Sequence, residues 1–291
     1  MGKIATNTLK QIEILQNRGM VLDFDEAKIK EILLDIGYYR LGFYWNPFEI
    51  NGDHDFVSGA KFSDALGLYY LDVDLRHILI KYINRIEINF RTKVVYYISN
   101  RHKESSTWFA DPSIISIDFV NNLDFYYTDE FIKNNKAIHR HHKKNINDKY
   151  APAWKTLEYF SFGTILKIFK SIKDQSIKER IAKEYGILNL KKFINLMDTI
   201  VFVRNTCAHG GVLFDLKTPK GISTLPELRF NNNNNDRYSL DSAIKAISYI
   251  LDKISSSRNQ DMNQQIFDLF MSHKANTTIK AIIVEKIGFK Y

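Results

Sequence analysis

Leu75, Leu79, Tyr82, Ile83, Ile86, Phe90, Val94 and Tyr97 recur at helical spacing over about six turns and fall on one stripe. The pattern extends with little interruption from Ser63 to about Ser99. A helix of roughly 37 residues is long for a globular protein, so a kink or break is expected within it. One apolar stripe of this length must be covered by other elements, and those available in the sequence are helices too.

Asp25 to Ile36 reads as a short helix, with Asp25 as N-cap and Gly37 at its end. Tyr38 to Phe48 is an aromatic-dense connection. Gly52 and Gly59 flank a turn or small hairpin holding Phe56 and Val57. Residues 101–112 read as loop, and residues 114–138 as mixed and partly helical. Pro152 suits the first turn of a helix reaching Phe169. Shorter helices follow at residues 172–185, 237–254 and 259–272. Residues 212–229 form an irregular excursion, Asn231 to Asn235 a surface loop tip, and Thr278 to Tyr291 a basic tail. The expected division is an amino-terminal helical and aromatic extension (1–60), a helical bundle (61–275) and the tail (276–291).

The 291 residues carry a formal charge of +8, which leans towards a polyanionic partner. The single cysteine, Cys207, excludes an intramolecular disulfide and fits a reducing compartment. It reads as a small buried hydrophobe rather than a nucleophile. No apolar run approaches bilayer-spanning length, and the amino terminus lacks a signal-peptide core. Met1-Gly2 with Thr6 formally fits a myristoylation pattern, but no second membrane signal accompanies it. The expected location is cytoplasmic.

Arg204-Asn205-Thr206-Cys207-Ala208-His209 ends a further amphipathic helix, which starts near Leu190. Its stripe is Leu190, Phe193, Ile194, Met197, Ile200 and Val201, and Arg204 continues it. A guanidinium on a buried face is costly unless paired. His209 lies about 140° around from Arg204, and Asn205 shares the His209 face. Gly210-Gly211 then ends the helix. Cation, amide and imidazole in this order suit RNA cleavage by the neighbouring 2′-hydroxyl. Imidazole transfers protons near neutral pH, the guanidinium stabilises a pentacoordinate phosphorane, and the amide orients. No metal or cofactor is called for, because the nucleophile is already tethered to the phosphate it attacks. The helix dipole favours protonated His209 and Arg204 opposes it, which leaves base and acid roles both open. The bland alternatives are an Arg that pairs with a buried carboxylate or snorkels, and a His that caps a helix.

Three further clusters matter. Glu87 sits at the edge of the long stripe, where it can pair locally with Arg91, reach Arg204, or do both. His139-Arg140-His141-His142-Lys143-Lys144 is a poor metal site, since the neighbouring cations repel one. It reads as a solvated basic loop or, through Arg140, Lys143 and Lys144, as a phosphate contact. The aromatic cluster at Tyr38 to Phe48 is either a packed mini-core or a base-stacking surface with Arg40 on the backbone.

The sequence resembles the Abi-like proteins, a bacterial abortive-infection family that includes AbiD and AbiF. The carriers, in order, are Arg18-Gly19, Ile36-Gly37-Tyr38-Tyr39-Arg40-Leu41, Tyr44-Trp45 and Pro47-Phe48. Phe62, Leu68-Tyr69, Asp72, Asp74-Leu75-Arg76, Ile86-Glu87 and Arg91-Thr92 follow. The last are Pro152, Trp154, Glu158, Ser161-Phe162-Gly163 and Val203 to His209. That family is similar to the HEPN superfamily, whose signature is an Arg, commonly a polar residue next, and a His four to six residues after the Arg. Arg204, Asn205 and His209 match it. Gly210-Gly211 is a departure, since related sequences often carry a second His or a bulky polar residue there. The resemblance implies an all-α, HEPN-like bundle, usually a homodimer with a composite cleft. It also implies an anti-phage endoribonuclease in which Arg204, Asn205 and His209 act and Glu87 holds Arg204. A toxic activity of this kind implies an inhibitory partner, and the positive charge suits a structured small RNA. Some members have lost catalysis, so a non-catalytic RNA-binding module that senses infection is the alternative.

Overall fold

Every regular element among the described residues is helical, and the few β-bridges are isolated pairs. The computed structural model describes residues 4–50 and 54–291. Gly52, and the Met1-Gly2 start of the lipidation pattern, lie outside them. In chain order the helices are α1 Thr8–Asn17, α2 Glu26–Asp35, α3 Tyr38–Trp45, α4 Phe62–Arg101, α5 Ile117–Asn121, α6 Asp129–Asn134, α7 Lys136–Lys144 and α8 Ala153–Thr156. They continue with α9 Phe162–Ser171, α10 Gln175–Lys183, α11 Leu190–Ala208, α12 Asn231–Asn234, α13 Leu240–Asp252, α14 Ser256–Ser272 and α15 Thr277–Ile282. The fold class is all-α.

The break expected in α4 does not occur: its 40 residues, Phe62–Arg101, form one continuous helix. No proline interrupts it, and it buries a residue at nearly every inward position from Phe62 to Ile98. Asp25 caps α2 by accepting the Lys28 amide at 2.8 Å. Gly37, at φ +92°, turns the chain directly into α3, so the aromatic segment is a helix rather than a connection. The helix expected from Pro152 to Phe169 breaks at Phe160-Ser161, where Ser161 caps α9 by accepting the Thr164 amide. The basic run at residues 139–144 is the end of α7, not a loop. The asparagine run forms the short α12. The basic tail is likewise ordered, as α15 and a π-helical turn at Ile283–Ile287.

The chain divides into two compact units that interleave in sequence. Unit one is Met1–Ile78, Thr206–Leu216 and Gln264–Tyr291; unit two is Leu79–Asn205 and Lys217–Asn263. Unit one buries Ile12 and Leu15 of α1, Ile29, Ile32 and Leu33 of α2, and Leu41, Tyr44 and Trp45 of α3. Phe62, Leu68, Leu71 and Leu75 of α4 and Ile279, Ile283 and Ile287 of the carboxy-terminal segment complete that core.

Unit two is built around an aromatic cluster. The Phe90 ring lies 6.1, 5.3 and 6.1 Å from the rings of Phe162, Phe169 and Phe193. Tyr185 stacks on Phe193 at 5.3 Å. These contacts fix α4, α9 and α11 of that unit against one another, at about 0.5–1.5 kcal/mol per aromatic pair beyond area burial.

Candidate functional site

Helix α11 buries Phe193, Leu196, Met197, Ile200 and Val203 completely. Arg204 continues that face, yet its side chain retains 29% exposure because it turns towards a partner. The partner is Glu87 of α4, whose side chain is only 8% exposed. Arg204 Nε lies 3.4 Å from Glu87 Oε2, long for a charge-assisted hydrogen bond. Arg91 Nη2 donates to Glu87 Oε1 at 2.8 Å and to the Phe160 carbonyl at 3.1 Å. One carboxylate therefore takes two guanidiniums, both of the pairings open to Glu87 in the sequence. Arg91 Nε is buried and has no acceptor among the described residues. Arg204 Nη1 contacts Oδ1 of the exposed Asn205 at 3.5 Å. Beside Arg204 opens a cavity of about 260 Å³, lined by Ile80, Lys81, Asn84, Glu87 and Arg204.

His209 follows the last residue of α11. Its side chain is exposed and hydrogen-bonds to no group among the described residues. The loop immediately after it is held in unit one by buried charge. Asp72, with no exposed surface, accepts the Leu213 and Phe214 amides through Oδ1 at 2.9 and 2.8 Å. Its Oδ2 accepts the Tyr44 hydroxyl at 2.9 Å and Arg76 Nη1 at 2.5 Å. Arg76 also donates to the Gly211 carbonyl at 3.0 Å, and Arg40 donates to the Gly210 carbonyl. The burial that raises the Asp72 pKa is opposed first by Arg76 and then by these donors.

The glycine pair suits this clamp. Gly210 adopts φ +65°, and a Cβ on Gly211 would stand 2.6 Å from Thr206 Cγ2 and 3.1 Å from the Thr206 carbonyl oxygen. Sequence reasoning assigned no role to Asp72 and Arg76. The available signal was charge on an apolar stripe, since Leu68, Leu71 and Leu75 around Asp72 are all buried.

The sequence profile of the Abi-like protein family matches residues 31–215, well over half of the 291 residues. The chain belongs to the Abi-like family. This is a family of abortive infection, a phage-defence function. No curated protein and no solved structure matches the chain. The matched span holds Arg40, Asp72, Arg76, Glu87 and Arg204 to Gly211, and stops at Asp215, before α12 to α15.

The remaining sequence candidates of this Abi-like chain separate into engaged and free groups. Arg40 is committed to Gly210 and lies over the Tyr44 ring at 5.8 Å, so its guanidinium serves the clamp. On α7, Arg140, Lys143 and Lys144 are exposed at mutual helical spacing. The histidines between them have structural partners. His141 is buried and 2.9 Å from Asp148, and His142 Nε2 is 2.8 Å from the Tyr127 hydroxyl. Burial is the main cause holding the His142 pKa down. No group of metal-ligating side chains occurs among the described residues, and no helix there is long and apolar enough to cross a membrane. Burial pushes the Cys207 thiol up to about 12, which leaves it protonated at neutral pH.

Proposed function

We propose that this Abi-like protein is a metal-independent endoribonuclease of the HEPN type, acting in the cytoplasm during phage defence. The observation that carries the reading is Arg204, held by the buried Glu87 beside an open cavity, five residues before an exposed His209 whose side chain hydrogen-bonds to no described group. The 2′-oxygen attacks the adjacent phosphorus as its proton is removed by a base. The P–O5′ bond then breaks, and the leaving 5′-oxygen takes a proton from an acid. The products are a 2′,3′-cyclic phosphate and a 5′-hydroxyl. Arg204 stabilises the phosphorane charge, Asn205 orients, and His209 transfers the proton. The tethered nucleophile supplies proximity without a metal or other cofactor.

Base and acid are both needed in one turnover, and a single imidazole does not readily serve as both. The proposed working form is therefore a homodimer in which two copies of the motif share one cleft. A structured inhibitory RNA restrains it until infection. The test compares RNA-free wild-type protein with His209→Ala on total cellular RNA. Cleavage by the wild type alone supports the reading; equal cleavage by both, or by neither, removes it.

The alternative, non-catalytic capture of a small structured RNA, has one observation in its favour: Arg140, Lys143 and Lys144 are exposed together on α7. It requires that His209→Ala leave RNA binding and phage protection intact. It also requires that neutralising Lys143 and Lys144 reduce the salt dependence of binding.

A further inference from the structure

Two cavities lie along one face of α4 in unit two. Ile80, Asn84, Glu87, Arg91 and Val95 succeed one another at helical spacing and form a single line. The first three line the cavity of about 260 Å³ beside Arg204. The last two line a second cavity of about 250 Å³, together with Thr92, Tyr96, Trp154 and Glu158. From Asn84 to Val95 is about 16 Å along the helix. Glu87 links the two cavities, with Oε2 towards Arg204 and Oε1 bound to Arg91.

The walls of the second cavity carry two solvent-exposed aromatic side chains. The Trp154 side chain is on a short helix, yet the residue is 54% exposed, and Tyr96 is 59% exposed. Trp45 and Trp108 are buried, so an exposed indole is not the habit of this chain. The Glu158 carboxylate is 65% exposed and 3.8 Å from Arg91 Nη1. Flat aromatic walls with an acceptor and a guanidinium at the edge match a nucleobase: its faces stack, and its exocyclic amine donates to a carboxylate.

We propose that this cavity is a base-binding subsite. It takes one unpaired nucleobase of the single-stranded RNA whose phosphodiester lies at Arg204. An apolar peptide would also cover the aromatic rings, but it would leave Glu158 and the cavity beside Arg204 without a role. The identity of the polymer rests on the ribonuclease reading, and the geometry of the subsite does not. Trp154 acts in positioning and affinity, not in the chemical step.

The test uses full-length protein and short 2′-O-methyl RNA oligonucleotides, which lack the nucleophile and are not cut. Trp154 is the exposed tryptophan, so stacking is read directly as quenching of intrinsic fluorescence. Wild type is expected to show saturable quenching. By anisotropy of a dye-labelled oligonucleotide, which reads binding without the indole, Trp154→Ala is expected to bind roughly tenfold or more weakly, and Trp154→Phe to keep most of the affinity. With cleavable RNA, Trp154→Ala should raise KM while kcat and melting temperature stay near wild type. Absence of quenching with every oligonucleotide, or binding and KM indifferent to Trp154→Ala, overturns the subsite. Trp154-dependent binding by a protein that cleaves nothing keeps the subsite and removes the ribonuclease. His209-dependent cleavage indifferent to Trp154 does the reverse.

Discussion

Replacing Asp72 by Asn tests whether buried charge holds the loop after His209. The carboxylate accepts four hydrogen bonds and has no exposed surface. Asparagine can keep the Leu213 and Phe214 amides on Oδ1. Its amide nitrogen then meets Arg76 and Tyr44 as donor against donor. Arg76, only 8% exposed, loses its counter-charge and keeps the Gly211 carbonyl and the Tyr44 hydroxyl oxygen. Leaving one partner of a buried pair uncompensated costs about 3–5 kcal/mol. The two surviving Arg76 acceptors place the expected loss near the lower end, about 3 kcal/mol, or a fall in melting temperature of roughly 6–12 °C.

Thermal denaturation reads the size of that loss, and amide hydrogen exchange reads its place. Leu213 and Phe214 amides should be protected in the wild type and exchange much faster in Asp72→Asn. A double-mutant cycle with Arg76→Met should give a coupling energy of at least about 1.5 kcal/mol, because removing both charges relieves the orphaned guanidinium. Additive losses, or a melting temperature unchanged within about 2 °C, would refute the argument that this pair carries the loop.

Gly211→Ala should cost about 1–3 kcal/mol by thermal melting, since rotating Thr206 relieves the methyl clash but not the approach to its carbonyl oxygen. Phe193→Ala should cost about 3–5 kcal/mol in urea unfolding, because its ring contacts Phe90, Phe169 and Tyr185. Cys207, with its thiol raised to about 12, is ionised in roughly one molecule in 10⁵ at pH 7 while folded. Iodoacetamide should therefore label it only after denaturant is added, and rapid labelling of the native protein would contradict its burial.

The helices legible in the sequence were those whose signals are local. Asp25 and the apolar spacing of α2 lie within a dozen residues of each other, and the stripe of α11 and the glycine pair that follows it lie in one continuous segment, residues 190–211. The pairing of Glu87 with Arg91 was readable as a four-residue helical spacing. Its pairing with Arg204 was readable only because a cation on an apolar face demands a partner. Helix α3 was not legible, because a run of aromatic residues is equally compatible with a packed connection, and Gly37 separates it from α2 without a spacer. The break at Phe160-Ser161 hid inside an otherwise helical pattern, where a serine cap looks like any polar residue. The clamp was beyond reach for a different reason. Asp72 and Leu213 are 141 residues apart, and no periodicity encodes such a contact. For the candidate site, the sequence supplied the residues Arg204, Asn205, His209 and Glu87. The partners holding the loop after His209 came from tertiary packing.

The most direct measurement uses two RNA oligonucleotides that differ only by a 2′-deoxy substitution at the cleaved nucleotide, each incubated with RNA-free protein. Attack by the neighbouring hydroxyl predicts that the all-ribose strand is cut to a 2′,3′-cyclic phosphate end. The deoxy-substituted strand should survive intact at that position, and His209→Ala should cut neither. Cleavage of both strands at the same bond, or cleavage that persists in His209→Ala, would contradict the account.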